Sequence, residues 1–219
     1  MGRRLLHPHE ARRLLTPGPV VLVTTRFAGL TDVAPVAWCA PLSAEPTLIG
    51  IALHPARHTH DMVRASGEFA LSIPGRRLLH HVQYFGTTSG LEEDKLGRSK
   101  LPWFRGEHVS APLLEGCLGW IECSVEDARA VGDHTLYIGR LWSAQALTEA
   151  FDDYWLLEDA DFAPLHYLGG DRYAVLNEVL QAQPPEDREK FADEIARQQR
   201  EEAEREAEAE AERQRRGEG

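Results

Sequence analysis

A chain of 219 residues, 42% hydrophobic and 27% charged, carries enough apolar material for one sizeable core. Its net charge of −11 excludes a general nucleic-acid binder, because such proteins cluster Lys and Arg against phosphates. Cys39, Cys117 and Cys123 form no CxxC pair, which excludes a zinc motif and a disulfide scaffold and fits a reducing cytoplasm.

In chain order, "MGRRLLHPHEARRLL" is basic but lacks a sustained apolar run and a small-residue cleavage site. Neither a membrane span nor a secretory leader is expected, and a soluble cytoplasmic protein is. The stretch predicts a short helix with Arg3, Arg4, Arg12 and Arg13 on its polar side, ended by "TPGP". Residues 1–18 are therefore set apart from a body over 19–183. "PVVLVTTRF" predicts a strand, "AGLTD" a turn, and "VAPVAWCAPLS" and "TLIGIALH" further strands. "HTHDMVRASG" predicts a helix capped by Thr59 and stopped by Gly67.

"EFALSIPG" predicts a strand, and "RRLLHHVQYFG" a short helix leading into a loop. Beyond the polar "RSKLPWFRGEHVSAPLLEG" come "CLGWIECSVEDARAVG", "HTLYIGRLWSAQAL" and "PLHYLGGDRYAVL", all strand candidates. Six or seven short strands with two brief helices do not alternate as βαβ units; they predict a mainly β, antiparallel barrel. From Pro184 the composition turns to Glu, Arg, Ala and Gln. Pairs such as Glu201–Arg205 support local helix, but no apolar stripe follows Ile195, so 184–219 is expected as a solvated helical or disordered tail.

Four stretches carry candidate chemistry. "GTTSGLEEDKLG", residues 86–97, admits two readings. Ser89 with Glu92 three residues on makes a capping box; alternatively Ser89, the Gly90 amide and Lys95 gather around a phosphate or a polarised ring oxygen. "RHTHD", residues 57–61, puts Arg57, His58 and the Thr59 hydroxyl where a helix begins, so its dipole and a cation point at one spot. His58, His60 and Asp61 as metal ligands is a weaker reading, since two histidines two apart have no further ligand at a recognisable spacing. In "VAPVAWCAPLS" the small Ala34, Ala37 and Ala40 alternate with Pro35, Trp38 and Pro41: either tight barrel packing or a wall for a flat ligand. "GDHTLYIG" puts His134 at the mouth of a strand.

Taken in order, "VTT", "VAPVAW", "RHT", "SGxxxDK", "GDHTLYIG" and "LGGDRYA" resemble the flavin reductase-like family. These are FMN-binding split-barrel proteins that include flavoredoxins and the reductase components of two-component monooxygenases. The resemblance spans about residues 10–176 and implies an antiparallel Greek-key split β-barrel. It implies that Ala34, Pro35, Val36, Ala37 and Trp38 line the isoalloxazine ring, and that Arg57, His58 and Thr59 meet the FMN phosphate. It brings Ser89, Gly90, Asp94 and Lys95 to the cofactor, and makes His134 a candidate on the nicotinamide side. FAD is a possible replacement for FMN, and NAD(P)H the implied co-substrate.

The sequence departs from the family in three places. Asp32 and Met62 stand where many relatives have Asn, and Leu96 where Phe often follows Asp-Lys. A carboxylate near an anionic cofactor is unfavourable, so no Asp32 contact with the cofactor is expected, and Met62 is expected to pack. The implied activity is hydride transfer from NAD(P)H to flavin, with the cofactor carrying the chemistry. The alternatives are a flavoredoxin-like electron carrier and a non-catalytic dimeric binding module. A homodimer covering the open barrel, with a partner monooxygenase or other acceptor, completes the expectation.

Overall fold

The computed structural model describes residues 18–180 and, further on, residues 193, 195–197, 199–201 and 203–205. The expected N-terminal helix with its four arginines lies outside the described residues. The chain divides into two compact units, Met1–Glu178 and Val179–Gly219. In the second, the described residues from 193 on are helical, and Arg197 Nε stands 3.7 Å from Glu201 Oε1. No described helix is long and apolar enough to cross a membrane.

The first unit is mainly β and antiparallel. Its strands are β1 (Gly18–Pro19), β2 (Val21–Phe27), β3 (Leu30–Val36), β4 (Cys39–Ser43), β5 (Leu48–Leu53) and β6 (Glu68–Ile73), followed by β7 (Trp103–Arg105), β8 (Pro112–Leu114), β9 (Gly119–Val131), β10 (His134–Ala146), β11 (Leu165–Gly169) and β12 (Arg172–Val175). The helices are α1 (His58–Ser66), α2 (Leu79–Thr87) and α3 (Lys95–Ser99). Seven strands form the main sheet in the order β3-β2-β6-β9-β10-β5-β4. Contact between β3 and β5 shows that it curls on itself as a Greek-key split barrel. A three-stranded sheet, β1-β11-β12, and the β7-β8 hairpin complete the unit.

Local sequence accounts for the first hairpin. β2 is almost all β-branched or apolar, and Ala28 and Gly29 both take positive φ, the two-residue turn that matches the twist of paired strands. The resulting register sets Val21 opposite Val36 and Thr25 opposite Asp32. Successive residues then face different cores: Leu22 and Ala70 pack with Phe85 and Trp120, while Val21, Val23, Phe69 and Leu71 pack with Ile51 and Tyr137. Both sheet faces are buried through Thr25, which is why β2 shows no alternation of apolar and charged residues over that stretch. Gly139 permits the inner packing, since a Cβ there would lie 2.4 Å from Phe69 Cζ.

Two expectations change. "VAPVAWCAPLS" is not one strand: β3 ends at Val36, Ala37 and Trp38 cross over, and β4 forms the opposite edge of the sheet. Pro35 and Pro41 explain the arrangement, because a residue without an N–H is tolerated on edge strands. The polar stretch after α3 also holds β7 and β8, three residues each and too short for a periodic signal. Gly67 does end α1, with φ 71°, and Met62 is buried as expected.

The cysteines are structural. Burial pushes the Cys39 thiol up to about 11 and that of Cys123 to about 12, so neither is a thiolate near neutrality. Thiol alkylation of the native protein at pH 8 should therefore run well below the rate of the urea-unfolded chain. Equal rates would contradict this packing.

Candidate functional site

The crossover after β3, the β5–α1 junction and the α2–α3 loop wall a cavity of about 830 Å³, closed by the β9–β10 and β11–β12 turns. Ala34, Pro35, Val36, Ala37 and Trp38 form one wall, and Arg57, His58 and Thr59 at the start of α1 form another. Phe85, Gly86, Thr88, Ser89 and Gly90, with Lys95 behind them, supply the third.

Beneath the second and third walls lies a charged network. Asp32 and Lys95 are 2% and 4% exposed, with Lys95 Nζ 2.8 Å from Asp32 Oδ1. Lys95 also donates to the Val33 carbonyl. The Thr59 hydroxyl donates to Asp32 Oδ2 at 2.6 Å, while His58 Nδ1, buried and 3.6 Å from the same oxygen, has no hydrogen-bond partner. Gly90 lies against this network: a Cβ on it would stand 2.4 Å from Asp32 Oδ1 and 2.7 Å from His58 Nδ1. Two of the three Lys95 donors are spent within the protein, and Asp32 offsets its charge. The uncompensated cation is Arg57, which is exposed and has no ion pair among the described residues. The first amides of α1, on His58 and Thr59, have no partner within the helix. The second wall is therefore an electropositive helix N-terminus.

The rim is aromatic. Trp38 and His134 have ring centroids 4.6 Å apart, and His54 meets His134 edge-on at 5.2 Å. His134 Nδ1 lies 2.7 Å from Asp133 Oδ1, and this hydrogen bond holds the Asp133 carboxyl below its ordinary range. The carboxylate accepts, so Nδ1 carries the His134 proton. The Ala56 N–H donates to His54 Nδ1 at 3.0 Å, which puts the His54 proton on Nε2.

Twelve of the thirteen residues that the resemblance assigns to the cofactor and the nicotinamide side line this one cavity. Asp94 does not. It caps α3, accepting from the Gly97 N–H at 3.0 Å, so the adjacent Asp94 and Lys95 separate to different tasks. Ser89 caps no helix; its Oγ accepts from the Leu91 N–H two residues on. Thr59 does not cap α1, because its hydroxyl is taken by Asp32 and Arg57 occupies the N-cap without a side-chain bond. Asp32 does belong to the site's support, as counter-charge to Lys95. The sequence reading did not reach His54, Asp133 or the Tyr167–Gly170 turn; "LGGD" in the last of these signals a tight turn but not its location. His60 is engaged elsewhere, with Nδ1 at Asp61 and Nε2 3.0 Å from Thr135 Oγ1.

Comparison with known proteins gives a consistent result. The Flavin reductase like domain matches residues 12–176. The uncharacterized protein YddH of Escherichia coli (strain K12) is 31% identical over 170 residues, 75% of this chain and 90% of its own. The NADH-dependent flavin reductase of a Rhodococcus sp. is 29% identical over 101 residues, 46% of this chain and 52% of its own. Among solved structures, the FMN-binding protein from Thermus thermophilus with bound 1-cyclohex-2-enone has a TM-score of 0.73 at 27% identity, covering 84% of this chain and 99% of that one. The flavoredoxin of Desulfovibrio vulgaris (Miyazaki F) has a TM-score of 0.68 at 26% identity, over 83% and 94%.

Proposed function

Because the chain belongs to the flavin reductase-like family, we propose that it binds FMN in this cavity and passes a hydride from NAD(P)H to flavin. The observation that carries the reading is the opposition of an electropositive α1 N-terminus to a flat wall of small residues and an aromatic rim, within one cavity. About 830 Å³ falls within the usual range of ligand sites, roughly 300–1,000 Å³.

The residues fit the group. Arg57 and the His58 and Thr59 amides would hold the phosphate, with charge-assisted hydrogen bonds supplying most of the affinity. Ala34 and Ala37 leave room for a planar ring system against the β3 backbone, and Trp38 closes one edge. When bound, FMN supplies the hydride-accepting centre, and reduced flavin can pass electrons onward. His134, steadied by Asp133 and backed by Trp38, would orient the nicotinamide and exclude water beside it. A homodimer covering the open barrel and an acceptor such as a partner monooxygenase belong to this proposal, as does a cytoplasmic setting.

Flavin titration tests the site. Arg57→Ala should weaken FMN about tenfold to a hundredfold, the loss of one hydrogen bond to a charged group, while riboflavin binding stays unchanged. Equal losses for both would sink the phosphate assignment. For the reaction, anaerobic NADH or NADPH should bleach the flavin absorbance. Retained colour with either nucleotide would favour an electron carrier, a reading supported by similarity to the flavoredoxin.

A further inference from the structure

The loop between α2 and α3, residues 88–94, brings Thr88, Ser89 and Gly90 to the cavity, yet it is held only at its base. Both flanking helices are anchored, since Val82 and Phe85 of α2 and Leu96 of α3 are buried in one core cluster. The loop buries no large apolar side chain of its own, and Leu91 at its tip is 74% exposed. Its turn is internal: the Leu91 N–H donates to Ser89 Oγ at 3.2 Å, and the Glu92 N–H to the Ser89 carbonyl at 3.1 Å. Among the described residues, no hydrogen bond joins 88–92 to β3 or α1; the contact there is the close approach of Gly90 to Asp32 and His58.

Glu93 closes that base. Tyr84 Oη of α2 donates to Glu93 Oε1 at 2.9 Å, and Arg98 Nε of α3 stands 3.2 Å from Glu93 Oε2. One carboxylate therefore ties the two helices together across the mouth of the loop, with one oxygen for each. The two bonds are unequal. Arg98 is 73% exposed, and an ion pair so well solvated adds little. Tyr84 is packed against the core cluster, so its bond to the carboxylate supplies most of the hold. Burial, and then Glu93 itself, raise the Tyr84 phenol above its ordinary range, which keeps the donated proton in place near neutrality.

We infer that Glu93 is a positioning residue: its bond to Tyr84 latches the 88–94 loop against the cavity and sets how long a bound flavin stays. The role in flavin residence rests on the flavin reading above; the latch itself does not. A latched loop favours FMN held through many turnovers, and an open one favours its departure as a product. Glu93 lines no part of the cavity, so it acts only through the Ser89 and Gly90 segment that it holds in place.

Two measurements on the full chain test it. Without ligand, amide hydrogen exchange at 88–92 should quicken about three- to tenfold in Tyr84→Phe and Glu93→Ala, the effect of one hydrogen bond, with the barrel strands unchanged. FMN should dissociate from both variants faster by the same factor, at an unchanged melting point. Glu93→Gln should behave as the unaltered chain, because its amide oxygen still accepts from Tyr84, and Arg98→Ala should change both rates less than Tyr84→Phe does. Unaltered exchange at 88–92 in Tyr84→Phe and Glu93→Ala would overturn the latch, as would a rise spread over the whole domain with a lower melting point. Faster exchange with unaltered FMN release would overturn its hold on the ligand. Failure of FMN to bind the unaltered chain would overturn the flavin reading and the residence role with it, while the exchange comparison would still decide whether the latch exists.

Discussion

Replacing Asp32 with alanine should cost about 3–5 kcal/mol of folding stability, because it strands the Lys95 ammonium in the interior without a counter-charge. Both groups are almost fully buried, and the carboxylate accepts from the Thr59 hydroxyl as well as from Lys95. For a domain of this size the loss corresponds to a melting point lower by roughly 10 °C. Asp32→Asn separates charge from shape. An amide oxygen still accepts one of the two bonds, so the stability loss should be smaller, while removing a negative charge beside the α1 N-terminus should preserve or strengthen FMN affinity. Lys95→Met should lower both stability and FMN affinity. Thermal melts paired with flavin titration distinguish the three variants. If Asp32→Ala melted with the unaltered protein, the pair would not be the support argued for here. If Asp32→Asn weakened FMN as much as Lys95→Met, Asp32 would have to act on the ligand directly.

The same residues mark how far sequence reaches. β2 and α1 were legible because their signals are local: a β-branched run before a tight turn, and a helical stretch closed by Gly67. The cavity was legible through resemblance, which brought Trp38, Thr59, Lys95 and His134 to one place although they stand far apart in the chain. What failed was the assignment of hydroxyls and carboxylates to local partners. Thr59 at the start of a helix suggests a cap, yet its hydroxyl bonds a carboxylate 27 residues earlier in sequence. Asp94 and Lys95 suggest a working pair, yet the aspartate serves the helix that begins with the lysine. In both cases a non-local hydrogen bond or a neighbouring backbone amide competes with the sequence-adjacent partner, and only the packed structure decides. Asp32 was weighed only against the ligand, which it does not reach as a cavity-lining residue, so its place as counter-charge to the buried Lys95 was not foreseen.

Gly90→Ala should abolish most FMN binding, with affinity falling about tenfold to a hundredfold for a rearrangement of roughly 1–3 kcal/mol. Gly90 does not sit in the left-handed region, so the demand is for space and not for an unusual dihedral. A methyl group would stand 2.4 Å from Asp32 Oδ1 and 2.7 Å from His58 Nδ1, where ordinary contact begins near 3.4 Å. Asp32 cannot yield easily, being held by both Lys95 and Thr59. Either the loop after α2 withdraws, carrying the Ser89 and Gly90 amides off the cavity wall, or the Asp32–Lys95 pair breaks. The two routes differ in their readout: the first loses FMN with an unchanged melting point, and the second loses both. Gly86→Ala is the control on the same segment. Its methyl would meet only the Pro35 ring, 3.1 Å from Cγ, a contact relieved by a shift of a few tenths of an ångström, so FMN affinity should change little. Unaltered FMN affinity in Gly90→Ala would mean that the loop after α2 stands clear of the ligand, and that the phosphate is held from the α1 side alone.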